Sequence, residues 1–382
     1  MRALTRDSSS STHDQVRTVG VEEELLLVDA ETGVPRSVAS EVLRVARRRG
    51  DTDGRAGEPG GSVGPEMQEQ QVETDTPPEE YLGLLEQDLR RWRDKARAAA
   101  TEAGALILAS GTTPLPVRPR TFDDERYAAI TEQFGLTASE QLTCGCHVHV
   151  SVASDDEAVG ALDRIRVWLP VLLAVSANSP FWQGADSGYA SYRSQAMTRW
   201  PTNGPTEIFG TGQAYADHLR LLVETGVPLD EGMAYFDARP SRNYPTLEIR
   251  VADVCLDTRD AVLVAALARA LVETGAWEWE QGRPADPASV AVLRLAMWQA
   301  GRHGLAGELL DPKTHRPRPA REVVDHLIEH VAPALRHTGD LVRVEQGISR
   351  VFTAGTGSQT QRRIHAEEGR LDRAVVRLAE LT

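Results

Sequence analysis

The chain has 382 residues, 41% of them apolar, enough for a large core and for one big domain or several ordinary ones. With 42 basic against 56 acidic residues the formal charge is −14, which argues against a nucleic-acid surface and requires metal ions or arginines wherever a nucleotide phosphate binds. Apolar stretches such as Val167–Ala177 are too short to span a bilayer, and the polar segment Met1–Asp14 has no secretory core; the three cysteines (Cys144, Cys146, Cys255) are too few for a disulfide framework, so a cytoplasmic protein is expected.

In chain order, residues 1–14 read as a disordered tail, and Val16–Val28, rich in branched residues, as a strand running into a turn at Asp29–Gly33. Ser40–Arg49 has helical spacing, and Gly50–Gly64 is dense in Gly, Asp and Pro, which predicts a mobile loop. Glu69–Thr76 alternates weakly as a second strand. Pro77–Ala103 reads as a long helix with Thr76 as its cap and Glu79 and Glu80 in the first turn. Ala105–Ser110 is a short buried strand, Gln141–Val152 an alternating one, and Ala158–Ser176 a helix. The stretch from Asn178 to Gly212, rich in Gly, Pro, Ser and aromatics, is too long for an idle connection and is a candidate active-site loop. Thr246–Ala252 is a strand, Thr258–Thr274 a helix, and the pattern beyond Gly282 is mainly helical. Mixed strands and helices in this order predict an α+β enzyme fold.

Four of these strands carry polar pairs at i, i+2, the spacing that puts two side chains on one face: Glu22 and Glu24, Gln71 and Glu73, His147 and His149, Glu248 and Arg250. An isolated pair of this kind is more often a solvated strand face. Four together suggest one cavity, because carboxylates are seldom placed inside a sheet without a cation. A carboxylate-rich oxygen site suits Mg²⁺, with Mn²⁺ as the alternative. Cys144 and Cys146 beside the histidines do not make a zinc site, since on one strand they point to the face opposite His147 and His149; they read as buried packing residues. No P-loop, dinucleotide fingerprint or nucleophile elbow occurs, so any ATP is held by another arrangement. The long loop supplies Arg193, Arg199, Tyr192 and Trp200, and arginine forks suit carboxylates and phosphates.

The segments GVEEELLLVDAETG, PEMQEQQVETDTP, SGTTP, CGCHVHVSV, LPVLLAVSANSPFWQGADSGYASYRSQ, RWPTNGP and YFDARPSRNYPTLEIRVAD together resemble the carboxylate–amine ligases of the glutamate–cysteine ligase type 2 family. The resemblance runs from about Thr18 to the C-terminus, through LDPKTHRPRPARE and GTGSQTQRR. It implies a glutamine synthetase-like curved antiparallel sheet flanked by helices, forming one domain over residues 15–382 with a mainly helical portion at about 282–382. It also implies metal ligands at Glu22, Glu24, Glu66, Glu73, His147 and Glu248, with His149 near phosphate and Arg250 at the transferred phosphoryl group. Arg193, Arg199 and Arg239 would be substrate or phosphate clamps. The implied chemistry joins a carboxylate, expected to be glutamate, to an amine through an acyl phosphate, with ATP and Mg²⁺, in a homodimer that takes only small-molecule substrates. Cysteine is the default acceptor; another amino acid or an amine of a specialised pathway is the alternative. A metallohydrolase on the same Glu/His cavity and a non-catalytic scaffold are the competing readings. Two departures from the expected pattern are Cys146 and the acidic Glu69.

Overall fold

The structure, a computed structural model, describes residues 16–52 and 60–382. The expected tail at 1–14 lies outside these residues, as does the middle of the expected loop at 50–64. Eleven strands occur among the described residues: β1 (Val19–Val28), β2 (Ser62–Pro65), β3 (Gln71–Asp75), β4 (Leu106–Leu108), β5 (Gly145–Ser151), β6 (Phe181–Trp182), β7 (Ala185–Asp186), β8 (Ala238–Pro240), β9 (Thr246–Asp253), β10 (Glu308–Asp311) and β11 (Arg316–Pro319). Seven of them form the main sheet in the order β2-β3-β1-β5-β9-β8, with β4 also on β1, and every pairing is antiparallel.

Alternation along the central strands separates two faces. Val19 and Val21 of β1, Cys146, Val148 and Val150 of β5, and Leu247 and Ile249 of β9 turn to the back, where they are buried with residues of helices Asp155–Ile165, Leu169–Ser176, Thr258–Glu280 and Ala320–Thr338. Burying side chains of this kind is worth about 1.5–3 kcal/mol each, which holds the polar face in place. All three cysteines are free and buried, and Cys144 and Cys146 take the packing role expected of them. The antiparallel sheet backed by helices agrees with the expected fold. No described helix is long and apolar enough to cross a membrane.

Several expected boundaries are corrected. The predicted helix at 77–103 begins only at Leu82, because Pro77 and Pro78 keep the preceding chain extended and Glu79 bridges to Val19. Thr76 is therefore no helix cap; its hydroxyl accepts from the Val21 amide at 3.0 Å. The predicted helix at 158–176 is two helices, broken before Pro170. The predicted loop at 50–64 ends in β2, which pairs with β3. Helices Glu125–Phe134 and Gly212–Glu224 and strand β8 have no counterpart in the expected elements. The C-terminal portion is helical as expected, with helices Val290–His303, Ala320–Thr338, Leu341–Ala354, Gly357–Glu368 and Leu371–Leu381 and the small β10–β11 hairpin. It is tied into the core: the Gln361 amide donates to Asn178 Oδ1 at 2.8 Å, and the Ala109 amide donates to the Thr382 hydroxyl at 3.0 Å.

Candidate active site

Register decides what meets on the polar face. Glu22 lies opposite His147 of β5 and Asp75 of β3, Glu24 opposite Glu73, His149 opposite Glu248, and Glu248 opposite Arg239 of β8. Glu22 Oε1 is 3.1 Å from His149 Nε2, and His147 stands 3.5 Å from Glu22, 3.9 Å from Glu24 and 4.0 Å from Glu248. Glu66 arrives from the turn between β2 and β3. Two groups result, Glu22–His149–Glu248 and Glu24–Glu66–Glu73, and in each all donor atoms lie within 4.8 Å of one another. On the cationic side Arg239 donates to Glu248 at 2.8 Å and to the carbonyls of Gly232 and Ala234 at 3.0 Å, while Arg250 donates to the other Glu248 oxygen. These residues line a cavity of about 340 Å³, walled by Tyr127, Trp200, Tyr235 and Tyr244.

A β-bulge shapes the far end of this face. Cys146 pairs with Ala252 but Val148 with Ile249, so β9 carries one more residue than β5 opposite His147. The extra residue flips the alternation and brings Asp253 to the side of Glu248 and Arg250. Asp253 is fully buried and accepts from the Ser179 hydroxyl (2.7 Å), the Ser191 hydroxyl (2.8 Å) and the Asn178 amide (2.8 Å). Those bonds clamp the long loop at 178–193 and deliver Arg193, whose guanidinium donates to the carbonyls of Val251 (3.3 Å) and Arg250 (3.2 Å). Gly145 makes room: a Cβ there would lie 2.4 Å from Arg193 Nη2 and 2.9 Å from His147 Nε2. The Gly145 amide in turn donates to Glu24 at 2.6 Å.

The two groups differ electrostatically. Burial would raise Glu22, but hydrogen bonds from His147 and His149 outweigh it and hold the carboxyl well below the usual range. Burial likewise opposes ionisation of Glu248, yet Arg250 and Arg239 bring it down to about 2. Burial and then Arg250 lower His147; for His149 burial is overcome by the hydrogen bond to Glu22, and it rises. In the second group burial and mutual repulsion prevail over the pull of Arg250 on Glu66. Burial and repulsion from Glu24 push Glu66 up to about 7, and burial with Glu22, Glu66 and Glu24 pushes Glu73 well above the carboxylate range. Crowded carboxylates of this kind are what a divalent cation relieves.

Of the residues nominated from sequence, Glu22, Glu24, Glu66, Glu73, His147, His149, Glu248, Arg250, Arg239 and Arg193 line this one cavity. It is His149, rather than His147, that sits in a tight donor group; His147 stands between the two groups. Arg199, expected as a clamp, lines neither this cavity nor its neighbour; it pairs with Glu140 at 3.0 Å and lies over the Trp182 ring. Glu69 stays out of the site and anchors the helix Ala39–Arg49, accepting from the Ser40 amide and hydroxyl. Sequence reasoning missed Arg126, Tyr127 and Arg242 on the cavity wall, and Asp237, which burial raises to about 7 against the pull of Arg193 and Arg294. Asp237 had a usable signal, being paired with Arg239 at i, i+2.

Residues 18–377 match the profile of a family described as glutamate-cysteine ligase family 2. The chain belongs to this family. Membership makes it an enzyme of the carbon–nitrogen ligase class. Among its relatives is a protein of Frankia alni provisionally named glutamate–cysteine ligase 2-2, 49% identical, the alignment covering 95% of this chain and 96% of the relative. A Streptomyces coelicolor protein provisionally named glutamate–cysteine ligase 2 is 48% identical, covering 94% and 97%. The fold is shared with the glutamate–cysteine ligase of Francisella tularensis solved in complex with AMP (TM-score 0.67, 14% identity, 96% of this chain and 88% of that one). It is also shared with a bifunctional glutathione synthetase from Pasteurella multocida (TM-score 0.68, 17% identity, 95% of this chain), of which this family-2 chain spans only 52%.

Proposed function

We propose that this ligase uses ATP to activate the side-chain carboxylate of glutamate and joins it to the amino group of an amino acid, with cysteine as the default acceptor. The observation that carries the reading is the pair of donor groups, Glu22–His149–Glu248 and Glu24–Glu66–Glu73, on one sheet face beside Arg250, Arg239 and Arg193. A carboxylate oxygen of the acid attacks the γ-phosphorus of ATP, the bond to the bridging oxygen breaks, and ADP leaves. The amine nitrogen then attacks the acyl carbon, the carbon–oxygen bond to phosphate breaks, and the nitrogen gives up a proton.

The donor chemistry fits divalent cations, Mg²⁺ or Mn²⁺: oxygen-rich groups, and mutual repulsion among Glu24, Glu66 and Glu73 to be neutralised. Glu22, His149 and Glu248 would hold one, and Glu24, Glu66 and Glu73 another, with His147 between them. Bound there, the ions would neutralise phosphate oxygens and align the transfer. The chain's own contribution is positional. Arg239 fixes Glu248 through a bond at 2.8 Å, Asp253 fixes the loop that carries Arg193, and Arg250 presents its guanidinium where negative charge spreads in the transition state.

A pH signature follows from the second group. Glu66 and Glu73 hold their protons more tightly folded than unfolded, so the contribution of each to stability is complete below the usual carboxylate range and is lost as pH rises through its raised folded value, about 7 for Glu66. Asp237 and His149 act in the same direction, and His147 opposes them. Calorimetry should therefore find the metal-free protein melting lower at pH 8 than at pH 6, with added Mg²⁺ recovering more at pH 8. A melting temperature that rises with pH over this interval, or no response to Mg²⁺, would count against a metal in this group.

The activity itself is tested by incubating the protein with ATP, Mg²⁺ and panels of acids and amines, reading phosphate release and product mass. Release that depends on glutamate, with an amide product of the expected mass, is the result expected. Hydrolysis of amides without ATP would favour a metallohydrolase, and silence with every acid would sink the ligase reading.

A further inference from the structure

Beside the carboxylate cavity lies a second one, of about 290 Å³, and the two meet at Arg193, Arg250 and Tyr235. Asp237 is the one carboxylate among the described residues that line it. Strand alternation places it there: Ala238 of β8 packs into the core, so Asp237 and Arg239 share the opposite face, and Arg239 turns to Glu248. The backbone pins Asp237 on both sides, its amide donating to the Gly204 carbonyl at 3.0 Å and its carbonyl accepting from the Arg250 amide at 2.9 Å.

Asp237 is 7% exposed, and its Oδ2 has no hydrogen-bond partner, which is costly for a buried carboxylate unless a ligand supplies the donor. The cations around it are engaged elsewhere. Arg250 donates to Glu248, and Arg193 donates to the carbonyls of Val251 and Arg250 and stands 4.0 Å from Asp253. Arg294 is exposed on the helix Val290–His303. Burial raises Asp237 to about 7 against the pull of Arg193 and Arg294, so it changes protonation state near neutrality. The other acids and bases on the two cavities have other tasks. The five glutamates belong to the two donor groups, His149 with them, and His147 lies within 4.0 Å of three of those glutamates. Burial pushes the phenols of Tyr127 and Tyr235 up. Asp237 is left as the carboxylate free to take a proton.

Resting on the ligase reading above, we infer that Asp237 is the general base of the amide-forming step, taking a proton from the ammonium group of the acceptor where the two cavities join. An amino acid brings its nitrogen as ammonium, which has no lone pair to attack with. Oδ2 accepts one of its protons, and the freed nitrogen bonds to the acyl carbon. The carbon–oxygen bond to phosphate then breaks, its electron pair leaving with phosphate, and the second nitrogen-bound proton goes to that phosphate. Asp237 returns its own proton to water as the products depart. The fixed backbone on either side of Asp237 holds Oδ2 in place for this transfer.

The test separates the two steps in Asp237→Asn, which keeps the size of the side chain. Without any amine, ATP labelled with ¹⁸O in its β,γ bridge scrambles the label when glutamate accepts the γ-phosphoryl group reversibly, and no proton leaves an amine. The variant is expected to keep this exchange within about twofold, and to lose about 10²–10³-fold in amide formation with cysteine, or with the amino acid that the activity panel selects in its place. Hydroxylamine is uncharged at neutral pH and already carries its lone pair, so hydroxamate formation should fall by less than about tenfold. A parallel loss with the amino acid and hydroxylamine, or loss of the exchange, would overturn the proposal and give Asp237 a binding or structural role. Unchanged amide formation would overturn it too, while leaving the ligase reading intact. Absence of exchange by the wild type with any acid would remove the ligase reading first, and this base with it.

Discussion

Glu73→Gln is expected to lower ATP-dependent turnover by about 10²–10³-fold while raising the melting temperature of the metal-free protein. The two effects have one cause. Glu73 sits with Glu24 and Glu66 in a group whose donor atoms lie within 4.8 Å, and burial with repulsion from Glu22, Glu66 and Glu24 opposes its ionisation. A glutamine keeps the size and cannot ionise, so the empty site relaxes at any pH that would force Glu73 to give up its proton. The same change removes a ligand from the group that would hold a cation against the triphosphate, and turnover falls. A residue kept for packing alone would show the reverse, with stability lost and rate retained. Steady-state phosphate release and calorimetry with and without Mg²⁺ on the same preparation separate the two, and a lower metal-free melting temperature for Glu73→Gln would remove Glu73 from the proposed metal set.

Glu23→Ala is expected to cost about 3–5 kcal/mol of folding stability, by the rule for breaking one half of a buried ion pair. Glu23 lies between Glu22 and Glu24 in sequence but faces the opposite side of β1. There it is 0% exposed and receives Arg93 in two bonds, at 2.8 and 2.6 Å. Arg93, itself 1% exposed, also donates to the carbonyls of Leu256 (2.9 Å) and Cys255 (2.6 Å), so one guanidinium joins β1, the helix Leu82–Glu102 and the segment just after β9. Removing Glu23 strands that cation in the core. Removing both partners, as in Glu23→Leu with Arg93→Met, should recover most of the loss, because no buried charge is left unpaired. Denaturant midpoints with unchanged slopes provide the measurement. A loss below about 1 kcal/mol for the single variant would show the pair to be solvated, contrary to its burial.

Much of the site was legible in the chain. The pairs Glu22/Glu24, Gln71/Glu73, His147/His149 and Glu248/Arg250 all came from alternation, and all line one cavity. The order of elements pointed to an α+β fold, the antiparallel sheet came from the family resemblance, and the packing of Cys144 and Cys146 followed from alternation on their strand. Residues from irregular segments were harder. Arg193 and Arg199 stand six positions apart in one loop with equal chemical claims; the first is delivered to the cavity by the Asp253 clamp and the second is turned to Glu140. Glu23 carried no local sign of its partner, because Arg93 is 70 residues away. Arg294, on the helix Val290–His303 of the mainly helical C-terminal portion, lines a cavity beside the carboxylate site.

Local spacing by itself determined which side chains share a strand face, because the two-residue period belongs to the extended backbone and needs no partner. Only the tertiary structure decided which strands lie side by side, where β9 gains its extra residue to bring Asp253 onto the site, and which loop arginine reaches the cavity. Those outcomes depend on register and on bonds between residues far apart in the chain, and a one-residue slip in either would turn the same carboxylates toward the core.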